Sequence, residues 1–236
     1  LNRLGERLPL LVQHSQLRLS LAGAQNKIPV RYHGQLFSLP QGGASSTHIL
    51  KPPIQPVNYF PYSVQNEALC LQLARNSGLN AAVVDMIYLP EPILMIERYD
   101  RQFVGEQIER VHQLDFCQMA GVLPDQKYEK DGGPGLKRIF QLIDQWSSVP
   151  AKNRLQALDW VLFNYLIGNA DAHAKNISML VHSQYQFELA PTYDILCTAL
   201  YPELQTQMAM SIGGESEPNR LQAIHWQRLA VDLGMN

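Results

Sequence analysis

The chain has 236 residues, 46% of them hydrophobic and 17% charged, with a formal net charge of −2. That is enough apolar matter for one sizeable core, or for two lobes sharing a cleft. The near-neutral balance argues against a nucleic-acid clamp or a binder of anionic membranes. No run approaches the roughly 18 apolar residues of a membrane-spanning helix.

The N-terminus, Leu1-Asn2-Arg3-Leu4-Gly5-Glu6-Arg7, has no signal-peptide plan. It also lacks an initiator Met, which points to a fragment. The first hundred residues read mostly as strands. Ile28–Tyr32 and Gln35–Leu39 flank His33-Gly34, a two-residue hairpin signal. Thr47–Lys51 is a short strand stopped by Pro52-Pro53. A Pro-rich loop to Pro61 leads to a helix with Ser63 as its N-cap, Val64, Ala68 and Leu71 on one face, and Gly78 at C′. Ala82–Tyr88 and Ile93–Tyr99 are two further strands around a Pro90–Pro92 turn. Residues 1–100 therefore read as a strand-rich N-lobe.

After Tyr99 the pattern turns helical, and residues 101–236 read as a helical C-lobe. Leu114–Ala120 is a short amphipathic segment, and Gly132-Gly133-Pro134-Gly135 is a loop. Leu136, Ile139, Phe140 and Ile143 then recur at helical spacing. Ser148 and Pro150 open another helix. Its later part, Leu158–Ile167, is apolar nearly all round and should be buried. It runs straight into Gly168-Asn169-Ala170-Asp171, and Ile177–Val181 and Tyr185–Ala190 follow as a hairpin. Cys70, Cys117 and Cys197 are few, odd in number and scattered, as expected of reduced core thiols in a cytosol.

Asp171-Ala-His-Ala-Lys-Asn176, with Asp194 further on, is the most chemically pointed stretch. Phosphoryl transfer needs a carboxylate to orient the attacking hydroxyl, and an amide oxygen and a second carboxylate to hold Mg²⁺ on the phosphates. Protein kinases place the first Asp and the Asn five residues apart, the spacing found between 171 and 176. Each residue also has a plainer reading: Asp171 capping a turn or pairing with Lys175, Asn176 in αL, Asp194 a loop carboxylate. Lys51 ends a strand from which an ammonium could reach phosphates, and Glu67 on the next helix could fix it; a solvated edge Lys and a surface Glu are the alternatives. Ser20–Lys27 offers a tight turn whose N–H groups could face phosphate, although it matches neither standard glycine-rich motif. Glu97–Asp100 ends the last N-lobe strand, where an adenine hinge would run. The seven His show no zinc-ligand spacing, and there is no G-x-S-x-G elbow.

Taken together, SLAGAQNK (20–27), THILKP (47–52), Asn66-Glu67, ERYDR (97–101), DFCQ (115–118), KYEKDGGPG (127–135), GNADAHAKNIS (168–178) and LAPTYDI (189–195) resemble the HipA-like serine/threonine kinases, toxins of bacterial toxin–antitoxin operons. The likeness implies an α+β, bilobal protein-kinase-like fold that uses ATP and Mg²⁺. By it, Asp171 is similar to the catalytic Asp, with His173 and Lys175 of the same loop grouped beside it and Lys51 as the phosphate-binding lysine. Asn176 and Asp194 are similar to the metal ligands. Ala22, Gly23, Ala24, Gln25 and Lys27 are similar to the nucleotide loop, and Glu97, Tyr99 and Asp100 to the hinge. A Ser at the position of Ser20 is autophosphorylated in the family; a phosphate there would be repelled by Asp171, Asp194 and nucleotide.

The resemblance further implies a helix-turn-helix antitoxin as partner and an aminoacyl-tRNA synthetase as the class of protein target; the near-neutral charge, for its part, points to no direct binding of nucleic acid or membrane. Fewer than 20 residues precede Ser20, as in compact members whose N-terminal subdomain is a separate protein. Only 42 follow Asp194, so a truncated helical lobe is expected. Two other readings stay open from the residues alone: a catalytically silent member acting by binding, and a small-molecule phosphotransferase.

Overall fold

The computed structural model describes residues 25–41, 44–105, 107–182 and 186–235. Five antiparallel strands, β1 (Ile28–His33), β2 (Leu36–Ser38), β3 (His48–Lys51), β4 (Val84–Tyr88) and β5 (Pro92–Glu97), form a sheet in the order β2-β1-β3-β5-β4. Helix α1 (Ser63–Asn76) lies across one face. Strand alternation decides what that face carries. On β3, Ile49 joins Val64 and Ala68 of α1, whereas Leu50 points the other way into Val30, Ile93 and Met95. Lys51, two residues from Ile49, is thereby sent to the helix side.

Two local expectations shift. The β1–β2 turn is Gly34-Gln35, with φ of 55° and 67°, and His33 pairs with Leu36. A hairpin turn with both central residues at positive φ matches the twist of the strands, and Gly34 serves it as its first residue. Ser63 is not the N-cap of α1: Tyr62 holds that place at φ 57°, and the Ser63 hydroxyl instead accepts the Ile54 N–H at 2.9 Å. At the other end Gly78 sits at C′ as expected, with φ +92° and the Leu79 N–H on the Ala74 carbonyl.

The described residues between 101 and 115 are not helical. β6 (Arg101–Val104) and β7 (Gln107–Arg110) form a two-stranded ribbon, and β8 (His112–Asp115) joins β9 (Ser178–Val181) and β10 (Phe187–Leu189) in a second sheet. The ribbon is exposed on both faces, with Phe103 65% accessible, so its sequence carries no apolar alternation. Polar contacts hold it instead: Ser45 Oγ donates to the Ile108 carbonyl and Arg101 Nε to the Ser46 carbonyl.

Asp115 then starts α2 (Phe116–Ala120) through a reciprocal capping box with Gln118. Phe116 packs with α3 (Leu136–Trp146), α4 (Pro150–Leu166), β9 and α5 (Ala223–Asp232) around Ile139, Phe140, Ile143, Ala157, Trp160, Met179 and Leu229. α4 opens with Pro150 at its first turn, as expected. It is not buried all round. Trp160, Val161 and Phe163 face the core, but Leu162 and Leu166 are exposed, the latter at 77%, because neighbouring elements cover one side only. Gly168, at φ +70°, turns the chain away from α4 with no room for a side chain: a Cβ there would meet the Ala199 Cβ at 2.9 Å.

Candidate active site

Residues distant in number meet in the cleft between the first sheet and the helical half. It is lined by Gln25, Lys27, Ile54, Glu67, Asn169, Asp171, Asn176, Asp194 and Leu196. Lys51, from the helix-facing side of β3, is buried and held by Glu67 of α1 at 2.5 Å. Its ammonium also bonds the Asp194 carboxylate, which arrives from the loop after β10. Burial alone would pull the Lys51 pKa down; Asp194 and then Glu67 outweigh it and lift it above its ordinary value. Burial would likewise push Asp194 up, but Lys51 and Lys27, the latter at 3.4 Å, keep it below the usual carboxylate range. A buried ammonium between two carboxylates costs desolvation that only such pairing offsets. Asp194 takes a backbone φ of 56°, a conformation found sparingly outside glycine.

The loop carrying Asp171 packs Ala172, Ala174 and Ile177 against the main core, and a set of amides and hydroxyls fixes its backbone. Asn164 Nδ2 donates to the Trp160 carbonyl, and its Oδ1 accepts from Asn169 Nδ2 at 2.7 Å. Asn169 Oδ1 in turn accepts the Asp171 N–H at 3.1 Å. Thr198 Oγ1 closes the other side, accepting the Ala170 N–H and donating to the Gly168 carbonyl. Asn176 Nδ2 donates to the Asp171 carbonyl at 3.1 Å, and among the described residues its Oδ1 accepts no hydrogen bond. The Asp171 carboxylate accepts the Tyr128 hydroxyl at 2.6 Å. Burial raises its pKa to about 6, against the opposing pull of Lys127 and Tyr128. A carboxylate so placed is a competent proton acceptor near neutrality.

Other residues singled out from the sequence fall in varied places. His173 is wholly buried, 3.9 Å from Asp171, and burial drops its pKa to about 3, so it stays neutral. Lys175 is not brought to Asp171; it pairs with Asp115 at 2.7 Å. Gln25 Nε2 donates to the Pro52 carbonyl, at the strand end that follows Lys51. Glu97 is exposed at the end of β5. Tyr99 packs its ring 6.1 Å from Tyr193. The Asp100 carboxylate is occupied by Arg98 and Arg101, which hold it below its usual pKa against burial. Ser20, Ala22, Gly23 and Ala24 lie outside the described residues. Among the described residues, no three His, Cys, Asp or Glu side chains are arranged to hold a metal by themselves.

Three contributors were not singled out as site residues from the sequence. Tyr128 and Lys127 come from the segment before the glycine run, and Asn66 of α1 ties the loop following Asp194 by three hydrogen bonds, to the Cys197 N–H, the Cys197 carbonyl and the Tyr201 hydroxyl. Such partners lie 43 to 135 residues apart, and nothing local in a sequence pairs them.

The chain is 44% identical over 229 residues to Y4mE of Sinorhizobium fredii, covering 96% of this chain and 54% of that protein. It is 34% identical over 241 residues to the serine/threonine-protein kinase toxin HipA of Shewanella oneidensis, with the same coverages. It thus spans about half the length of the curated relatives it matches. In three dimensions it is similar to the HipA of Shewanella oneidensis solved with HipB and its operator DNA, at a TM-score of 0.87, 32% identity, 97% of this chain and 55% of that one. The proinflammatory kinase CtkA of Helicobacter pylori shares the fold more loosely, at a TM-score of 0.51 and 20% identity over 72% of this chain. The α+β, kinase-like fold expected from the sequence is therefore the one observed. Residues 19–236 match the family described as HipA-like C-terminal domain, and the chain belongs to that family.

Proposed function

We propose that this chain carries the phosphotransfer centre of a HipA-like serine/threonine protein kinase toxin that uses ATP and Mg²⁺. The observation that carries the reading is the convergence of Lys51, Glu67 and Asp194 across one cleft from Asp171 and Asn176. Among the described residues the donor set fits a hard cation: a carboxylate at Asp194 and the amide oxygen of Asn176, too few to hold a metal without a nucleotide's own oxygens. Bound magnesium would offset the charge on the transferring phosphoryl group. Asp171 would orient the attacking hydroxyl and take its proton. Lys51, fixed by Glu67, would offer its ammonium to the phosphates.

The similarity to a protein named as a serine/threonine-protein kinase toxin supports the choice of a protein substrate. We propose a translation protein of the aminoacyl-tRNA synthetase class as target, Ser20 as the autophosphorylated residue, and action in the cytosol. The relative solved with HipB supports an antitoxin partner of the helix-turn-helix kind; a separate protein resembling the N-terminal subdomain is a further proposed partner. Incubation of wild type and Asp171→Asn with γ-labelled ATP and a cell lysate tests this. Label on a polypeptide, and one phosphate on Ser20 by intact mass and peptide mapping, is the expected result, with the variant at least about a hundredfold slower. Label confined to small metabolites would instead indicate a small-molecule phosphotransferase. Equal labelling by the two proteins would leave only a binding role.

A further inference from the structure

The run Gly132-Gly133-Pro134-Gly135 has so far been only a loop, yet the structure gives two of its glycines a mechanical task. A Cβ on Gly133 would meet the Gln126 carbonyl oxygen at 2.3 Å, the Tyr128 carbonyl oxygen at 2.8 Å and the Lys127 carbonyl carbon at 2.9 Å. The absence of a side chain lets the return strand of the loop lie directly against the backbone of 126–128. The Gly133 N–H donates to the Tyr128 carbonyl at 2.9 Å, and so does the Asp131 N–H at 3.0 Å. Gly135 leaves the same kind of space for Glu129, whose carboxylate would clash with a Cβ at 2.3 Å and instead accepts the Ser211 N–H at 2.5 Å. The Glu129 N–H donates to the Ala209 carbonyl, and the Ala209 N–H donates to Ala170, the neighbour of Asp171. The loop is therefore clamped to the segment that clamps Asp171.

What this platform presents is Tyr128. Its ring is hemmed by the Lys127 ammonium 4.9 Å from the centroid, the Lys130 ammonium at 5.8 Å and the His173 ring, edge-on at 5.4 Å. Two cations over a phenol ring also strengthen its hydroxyl as a donor, and that hydroxyl donates to Asp171 Oδ1. Asp171 Oδ2 lies 3.9 Å from His173 Nε2, beyond hydrogen-bond distance. One carboxylate oxygen is thus pinned, and among the described residues no hydrogen bond holds the other.

We infer that Tyr128 is a positioning residue of the phosphotransfer reaction: held by the close approach of Gly133, its hydroxyl fixes the Asp171 carboxylate so that the remaining oxygen meets the substrate hydroxyl. The inference rests on the kinase reading above. Tyr128 acts through Asp171 and forms no bond to the reacting atoms.

Tyr128→Phe removes the hydroxyl and keeps the ring among its neighbours. Steady-state phosphorylation of the polypeptide substrate should show kcat lower by about ten- to a hundredfold, with KM for ATP within about twofold of wild type. A purely structural role would not produce that split with an unchanged melting temperature. The double variant Tyr128→Phe/Asp171→Asn should be no slower than Asp171→Asn alone, because the hydroxyl has then lost the group through which it acts. Gly133→Ala, which must displace the backbone of 126–128, should copy Tyr128→Phe in kcat. Wild-type kcat in Tyr128→Phe, or an equal further loss when it is added to Asp171→Asn, overturns the inference while the kinase reading stands. Wild-type activity no higher than that of Asp171→Asn overturns both.

Discussion

Lys51 shows how much one residue's setting decides. A lysine at a strand end is ordinarily a solvated edge residue, and this one is buried because alternation along β3 turns it toward α1 and its two carboxylates. Lys51→Met should leave the buried Glu67 without its cation and Asp194 with only the Lys27 ammonium, at a cost of roughly 3 kcal/mol in urea unfolding. A loss under about 0.5 kcal/mol would mean that solvent already screens the pair. His173 gives a pH dependence of definite sign. Its pKa is about 3 in the fold, lowered chiefly by burial, against an ordinary 6.5. Between these values the unfolded chain binds a proton that the native one refuses, so stability falls as pH drops below about 6.5. At pH 5 the loss from this group is roughly 2 kcal/mol relative to pH 7.5. The urea midpoint of His173→Phe, whose aromatic ring can still pack beside Tyr128, should vary less between those two pH values than that of wild type. Identical pH profiles would show that the buried ring is not the cause. The candidate residues themselves, Asp171, Asn176, Asp194 and Lys51, were legible because their spacing and flanking words are local in the sequence. Their partners were not, since Tyr128 finds Asp171 only through the fold.

At the scale of elements, legibility followed apolar pattern. β3 and β5 are short apolar runs buried on both faces, α1 and α3 carry a buried stripe at helical spacing, and the sequence places all four nearly where they lie. The β6–β7 ribbon has no buried face, so alternation had nothing to report, and its strands are fixed by Ser45, Ser46 and Arg101 instead. α4 misled in the opposite sense: leucines all round suggested burial, but Leu166 is open to solvent. α1 carries a further duty that its pattern hides. Asn66, on the flank of its apolar stripe, makes three hydrogen bonds to Cys197 and Tyr201 and so anchors the segment that follows Asp194. Asn66→Ala leaves those groups unsatisfied in a largely buried place, and we expect a loss of roughly 2 kcal/mol. Amide hydrogen exchange should speed up selectively between residues 192 and 201. Exchange unchanged in that stretch would show that the loop is held by other contacts.

Over the whole molecule, the strand-rich and helical halves meet through shared apolar clusters, Leu71 with Phe163 and Ile195 and Phe60 with Leu196 and Tyr201. They also meet through polar links crossing the cleft, which include Lys51–Asp194 and the Asn66 bonds. The same cleft holds the proposed nucleotide site, so a ligand there would reinforce the junction on which the native state depends. Anything that binds only the folded chain stabilises it by mass action, about 2.7 kcal/mol at a hundred times its Kd. For a chain of this length that corresponds to a rise in Tm of roughly 5–10 °C. ATP with Mg²⁺ should produce such a rise, and ATP with EDTA a smaller one, since without the cation the carboxylates of Asp171 and Asp194 would face the phosphates directly. Asp194→Asn removes the carboxylate that faces both lysines and so lowers the baseline Tm. The informative quantity is therefore the increment that Mg²⁺ adds to ATP. In wild type it should be several degrees, and in Asp194→Asn close to zero. An increment preserved in the variant would place the metal elsewhere and remove Asp194 from the site. No increment in either protein would mean that nucleotide binds without magnesium, or not at all, and the phosphotransfer reading would fall with it.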